Sequence, residues 1–203
     1  MSVRYKMDNQ APPPGATAEQ ANRIGGWIST YTGRPFWPCD PRIEDVDTDD
    51  IAHALSLQCR FAGHVDRFYS VAEHCFRASM IVPYEDALWA LLHDAPEAYL
   101  IDLPRPLKYT PGLAEMYQEC EAALMRVICR KYGLPFGEPD TVKRADVILL
   151  ATEQRDLLPR AQWSMDVTPL SETITPMEPA AAEWCFKSRL AWLTAEYGLV
   201  SGA

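Results

Sequence analysis

The run Ala87-Leu88-Trp89-Ala90-Leu91-Leu92 carries no charged side chain and ends directly on His93-Asp94. Such a pattern reads as a helix buried on most of its surface. A carboxylate beside an imidazole at the end of a buried helix needs a partner, because an unpaired charge there is costly, and a cation is the most economical one. Two other predicted helices supply groups of matching chemistry, Glu73-His74 in one and Asp146 in the other. Two imidazoles and two carboxylates from separate elements suit a divalent cation that keeps positions open for water and a phosphate oxygen. That pattern points to metal-assisted hydrolysis. Glu97 falls three residues after Asp94 and four after His93, so a continuing helix would bring it near both. Pro96 disfavours helical geometry at Ala95 and removes a hydrogen bond, which predicts a distortion just after the His-Asp pair.

Helical spacing extends over most of the chain. Ser70 has the capping-box spacing to Glu73 and opens a helix to about Val82, and Thr48 or Asp49 can cap a helix over Ile51–Leu55. Further helices are expected over 87–99, 112–132, 140–158 and 178–197. Asp102-Leu103-Pro104-Arg105-Pro106-Leu107-Lys108-Tyr109-Thr110-Pro111 reads as a stiff loop rather than an ordinary helix. Trp27 to Trp37 looks irregular or short-stranded. Without a repeat or a sustained alternating pattern, the economical architecture is an all-α helical bundle. Its expected organisation is a flexible, irregular N-terminal arm over 1–26, proline-rich over 8–20, followed by one domain over 27–203. The core of that domain would be 49–158 and its C-terminal helix 178–197.

A length of 203 residues suits one domain, and 48% hydrophobic with 23% charged residues is ordinary globular composition. No apolar stretch approaches bilayer length, and the first seven residues lack the apolar core of a secretory signal, so residence in the cytoplasm is expected, without a membrane partner. A net charge of -9 disfavours binding a nucleic-acid polymer but allows a small nucleotide. The six cysteines form no Cys-x-x-Cys pair, which argues against a zinc knuckle or a disulfide framework, and most are expected to be buried. Trp184, Phe186 and Trp192 on the last helix are expected in the core or at a dimer contact, the core being the default.

Taken singly, these residues have ordinary readings. A lone helical His is usually structural, and Asp146 alone would be a surface partner of Arg144 or Lys143. His64, Arg67 and Glu153 are read as structural or solvent-exposed rather than as substrate contacts. The combination is another matter. His74, then His93-Asp94, then Asp146 resembles the H...HD...D signature of the HD-domain metal-dependent phosphohydrolases. The flanks Glu73-His74, His93-Asp94-Ala95-Pro96-Glu97 and Asp102-Leu103-Pro104-Arg105-Pro106-Leu107-Lys108 are similar to the 5'-deoxynucleotidases of that group. Arg34–Pro38, Asp50–Leu55, Cys59–His64 and Tyr69–His74 resemble a compact bacterial and phage-borne branch, so the likeness runs from about Trp27 to Leu158.

The resemblance implies His74, His93, Asp94 and Asp146 as ligands of a divalent metal (Mn, Co, Mg, Zn or Fe). It implies Glu97 as the catalytic carboxylate and Asp102 as the acidic group that meets the sugar and positions the reacting groups. Arg60 would contact phosphate, with Arg105 or Lys108 as weaker candidates. Phe61 stands where the family carries an aromatic residue, often Trp, that packs on the nucleoside and helps exclude a 2'-hydroxyl, a departure that leaves sugar selectivity open. The implied substrate is a deoxyribonucleotide, and relatives suggest a homodimer. The expected reaction converts a deoxynucleoside monophosphate to nucleoside and phosphate. A dNTP triphosphohydrolase, some of which prefer dATP, is the alternative, because one motif serves both. A non-catalytic nucleotide sensor has no need of the whole set, and a di-iron oxygenase of the same superfamily would need more ligands than four histidines readily supply.

Overall fold

The computed structural model describes residues 11–163 and 165–196. Its helices are α1 (Ala18–Ala21), α2 (Thr48–Leu57), α3 (Val71–Ile81), α4 (Ala87–Leu92), α5 (Glu97–Leu100), α6 (Arg105–Lys108), α7 (Leu113–Lys131), α8 (Asp140–Leu157) and α9 (Pro179–Glu196). The strands are β1 (Ile28–Ser29) and β2 (Pro35–Phe36), a short antiparallel ladder in which Ile28 pairs with Phe36. The all-α class is thus observed.

The centre of the bundle is α3, packed against α2, α4, α8 and α9. Ser70 starts it by accepting a hydrogen bond from the Glu73 amide at 3.1 Å. The Glu73 carboxylate does not complete a capping box. It is fully buried, where it takes Arg77 at 2.7 Å and the Met177 amide at 2.7 Å and so ties the segment before α9 to α3. Every residue of α4 is buried, as its composition requires, and Ala52, Ala72, Ala78, Ala87, Ala90 and Ala182 line the shared core, where small side chains let the helices approach. Leu91 lies fully inside this core. Leu91→Ala is expected to cost about 2–5 kcal/mol of unfolding free energy, read as a lower urea midpoint at unchanged slope.

Several expectations need correction. The cap of α2 is Asp47, whose carboxylate accepts from the Asp49 amide at 2.8 Å, and not Thr48 or Asp49. The helix through His93 breaks at the pair itself: Ala95 donates to Leu92 and Glu97 to Asp94, three residues back, at 3.0 Å each. Pro96 is the cause, since it offers no N–H and its ring displaces the carbonyl four residues earlier. The stiff loop contains the one-turn helix α6, which tolerates its prolines because a first turn needs no amide partner there. Of the six cysteines only Cys75 and Cys129 are buried, because Cys39 sits in a turn and Cys120 and Cys185 lie on half-exposed helix faces.

Residues 1–10 of the expected arm, and Tyr197 at the end of the last expected helix, lie outside the described residues. The described part of the arm makes specific contacts. Trp27 donates its indole N–H to the Ala11 carbonyl at 3.0 Å, and Arg23 pairs with Asp40 at 2.9 Å and Asp45 at 2.6 Å while covering the Trp37 ring. Phe186 is in the core, whereas Trp184 and Trp192 are exposed. Among the described residues, no helix is long and apolar enough to cross a membrane.

Candidate metal centre

His74 on α3 and His93 at the end of α4 meet with their Nε2 atoms 3.2 Å apart. His93 Nδ1 lies 2.7 Å from the Ala90 carbonyl, which can only accept, so the proton is on Nδ1 and Nε2 carries a lone pair. His74 Nδ1 lies 2.6 Å from the carboxylate of Glu153 on α8, which fixes the same tautomer. With both rings neutral, two lone pairs therefore face each other. The Asp94 carboxylate adds an oxygen 3.3 Å from His93 Nε2 and 3.7 Å from His74 Nε2, and Asp146 on α8 adds one 3.2 Å from His74 Nε2.

Converging lone pairs and carboxylates repel unless positive charge sits among them, so the donor set fits a divalent cation. His74, His93 and Asp94 each place one ligand atom within 4.8 Å of the others and could hold a metal ion. The electrostatics agree. Burial and Arg60 both oppose positive charge on His74, yet Glu153 and Asp146 outweigh them and hold its pKa up at about 10, so the ring draws a proton to Nε2 that a bound cation would displace. Asp146 is pushed below the usual carboxylate range, because His74 overcomes the opposing effect of burial.

Glu153 is fully buried and uses both oxygens. One holds His74; the other takes Arg60 Nε at 3.2 Å and Nη2 at 3.1 Å. Burial opposes its charge, but Arg60 and His74 hold its pKa down to about 2. The sequence reading missed this role, although one signal pointed to it: Glu153 follows Asp146 by seven residues, two turns along the same face of α8. A carboxylate behind a metal-facing imidazole fixes the ring and raises its basicity. Glu153→Gln is expected to weaken metal affinity by roughly 10–100-fold, measured by competition with a chromogenic chelator.

Arg60 reaches Asp94 through Nη1 at 3.5 Å and lies 5.3 Å from the centre of the Phe61 ring. Phe61 and Ala62 adopt left-handed backbone, φ 56° and 50°, and so does the β-branched Ile101 at φ 71°. Such geometry costs about 1–3 kcal/mol per residue, and all three flank expected site residues, Arg60 and Asp102. Glu97, at the start of α5, is buried. Its Oε1 accepts from Lys108 Nζ at 3.1 Å, while its Oε2 is buried with no hydrogen-bond partner. Burial, then Asp94 and Asp102, push the Glu97 pKa well up.

Lys108 is shared with Glu121 on α7 at 3.2 Å, so its ammonium braces Glu97. Asp102 is half-buried, and burial followed by Asp94 raises its pKa against Arg60 and Lys108. Gln58, unremarked in the sequence, joins these two acids: its side chain donates to the Glu97 carbonyl at 2.9 Å and accepts from the Asp102 amide at 3.1 Å. Arg105, His64 and Arg67 are exposed.

No protein-family model matches the chain. The uncharacterized protein YfdR of Escherichia coli K12 is 47% identical over 131 residues, covering 64% of this chain and 72% of YfdR. This chain belongs to the YfdR family. An uncharacterized protein of Rhodobacter capsulatus shares 36% identity over 128 residues, 59% of this chain and 64% of that relative. Outside these near relatives, the YfdR-family chain is similar to a 5'-deoxynucleotidase of Pasteurella multocida, 27% identical over 122 residues, 52% of this chain and 60% of the enzyme. The distant likeness suggests a nucleotide phosphohydrolase.

Proposed function

We propose that this YfdR-family protein is an HD-type phosphohydrolase that cleaves the 5' phosphate ester of deoxynucleoside monophosphates, yielding nucleoside and phosphate. The reading is carried by the convergence of His74, His93 and Asp94, with Asp146 3.2 Å from His74 Nε2, and by a buried Glu97 oxygen that has no partner. In it, the four donors would hold a divalent cation, which would acidify water and screen the phosphate's negative charge.

The protein's own groups do the rest. Glu97 Oε2 accepts the proton of the attacking water, a task suited to a carboxyl whose proton affinity burial has raised well above the ordinary carboxylate's. Lys108 holds the other Glu97 oxygen and so aims Oε2. Arg60 offers Nη1 to a nonbridging phosphate oxygen while Glu153 keeps the opposite edge of the guanidinium in place. Phe61 packs on the nucleoside, and Asp102, pinned by Gln58, meets the sugar.

The engagement of the basic side chains nearest Glu97 and Asp102 supports the monophosphate reading over the triphosphate alternative. Arg60 and Lys108 are the basic side chains that act on Glu97 and Asp102, and both are already engaged by carboxyls. Glu138, close enough to feel His93, Asp146 and the exposed Lys143, adds acidity beside one cation. A triphosphate would need free cations beyond its α-phosphate.

The test is a panel of dNMPs, dNTPs and ribonucleotides with Mn²⁺, Co²⁺ or Mg²⁺, products being resolved by ion exchange. Inorganic phosphate from dNMPs, lost on chelation, is expected. Release of triphosphate would replace the substrate assignment, and absence of any hydrolysis would leave a binding protein.

A further inference from the structure

Two cysteines far apart in sequence meet outside the candidate metal centre. Cys39 lies in the exposed turn after β2 and Cys120 is half-buried on α7; their sulfurs are 3.5 Å apart although 81 residues separate them. Both carriers are anchored. Next to Cys39, Asp40 is gripped by Arg23, and next to Cys120, Glu121 holds Lys108 Nζ. A disulfide needs its sulfurs at about 2.0 Å, so the pair would have to close by roughly 1.5 Å.

We propose that Cys39 and Cys120 are a disulfide-forming pair, a modification site at which a low-molecular-weight disulfide oxidises the protein. The exposed Cys39 thiolate attacks one sulfur of the small disulfide, breaking its S–S bond and releasing one small thiol. Cys120 then gives its proton to solvent and attacks the Cys39 sulfur, expelling the second small thiol. One small disulfide is reduced to two thiols, and the protein loses two hydrogens. Cys39 acts first because Cys120 is held as a thiol, its pKa pushed up to about 11 by burial and by its cysteine neighbour. Once Cys39 is derivatised, that neighbour no longer opposes ionisation of Cys120.

The bridge would fasten the turn around Asp40 to the helix that supports one wall of the site. Besides Glu121, that helix sends Tyr117 to the Ile101 carbonyl at 2.8 Å and Gln118 to the Lys108 carbonyl at 3.0 Å. Closing so long a loop restricts the unfolded chain, which for a protein of this size amounts to a rise in Tm of roughly 5–10 °C.

The full chain is treated with glutathione disulfide and read by intact mass, by non-reducing peptide mapping and by thermal melting. Expected are the loss of two hydrogens, a peptide linking Cys39 to Cys120, and a raised Tm that dithiothreitol reverses; C39S and C120S should each lack the link and the shift. A stable glutathione adduct on Cys39, a bridge through any other cysteine, or a link with unchanged Tm would overturn the proposal. These readouts stand apart from hydrolysis, so the pair can fail while the phosphohydrolase reading holds, and the reverse.

Discussion

Asp94→Ala is expected to lose both the cation and hydrolysis, the latter by at least about 10³-fold, because it removes a carboxylate that lies within 3.7 Å of both imidazoles. Several kilocalories of transition-state stabilisation are at stake when a Lewis acid is lost, and each 1.4 kcal/mol is about a factor of ten. Asp94 also receives Arg60 Nη1 at 3.5 Å, so its truncation frees the phosphate-facing edge of the guanidinium at the same time. The side chain is partly exposed, and its removal leaves no cavity in the core around Leu91. Circular dichroism should therefore match the parent while metal content and steady-state rates collapse together. Undiminished turnover in Asp94→Ala would count decisively against the assignment.

Glu97→Gln separates the two losses. The amide keeps the shape of the side chain and can still accept from Lys108 through its oxygen, but it cannot take a proton. The expected result is unchanged metal binding with kcat lower by about 10²–10⁴-fold, the usual contribution of a positioned general base. Glu97→Ala should likewise spare the metal while costing most of the rate. If Glu97→Gln instead lost metal and rate in parallel with Asp94→Ala, Glu97 would belong to the ligand set and the proton acceptor would have to be sought at Asp102.

The sequence and the structure agree where one local pattern decides the outcome. Ala87–Leu92 had to be buried whatever the tertiary arrangement, and Ser70 caps α3 through hydrogen bonding confined to four residues. His74, His93, Asp94 and Asp146 could be singled out because their chemistry makes sense only together, although spacing alone gave no distances. What escaped was set by contacts between elements. Gln58 is an unremarkable C-cap until α5 and the start of the following loop dock on its amide. Glu153 was read as structural or solvent-exposed; it is fully buried, its bond to His74 brings it into the site, and nothing local to α8 shows Arg60 arriving at its other oxygen. Lys108 looked like a phosphate contact because it is basic and follows the prolines, yet α7 brings Glu121 to it and turns its ammonium toward Glu97. The break at His93 was placed slightly late, since the effect of Pro96 reaches the carbonyl four residues before it.

The most direct measurement is anomalous diffraction from crystals soaked in a zinc or cobalt salt. The expected map has one strong peak roughly 2.0–2.2 Å from His74 Nε2, His93 Nε2 and a carboxylate oxygen of each of Asp94 and Asp146, absent from Asp94→Ala crystals grown alike. A map with no peak among these donors, or with the ion bound elsewhere, would contradict the account.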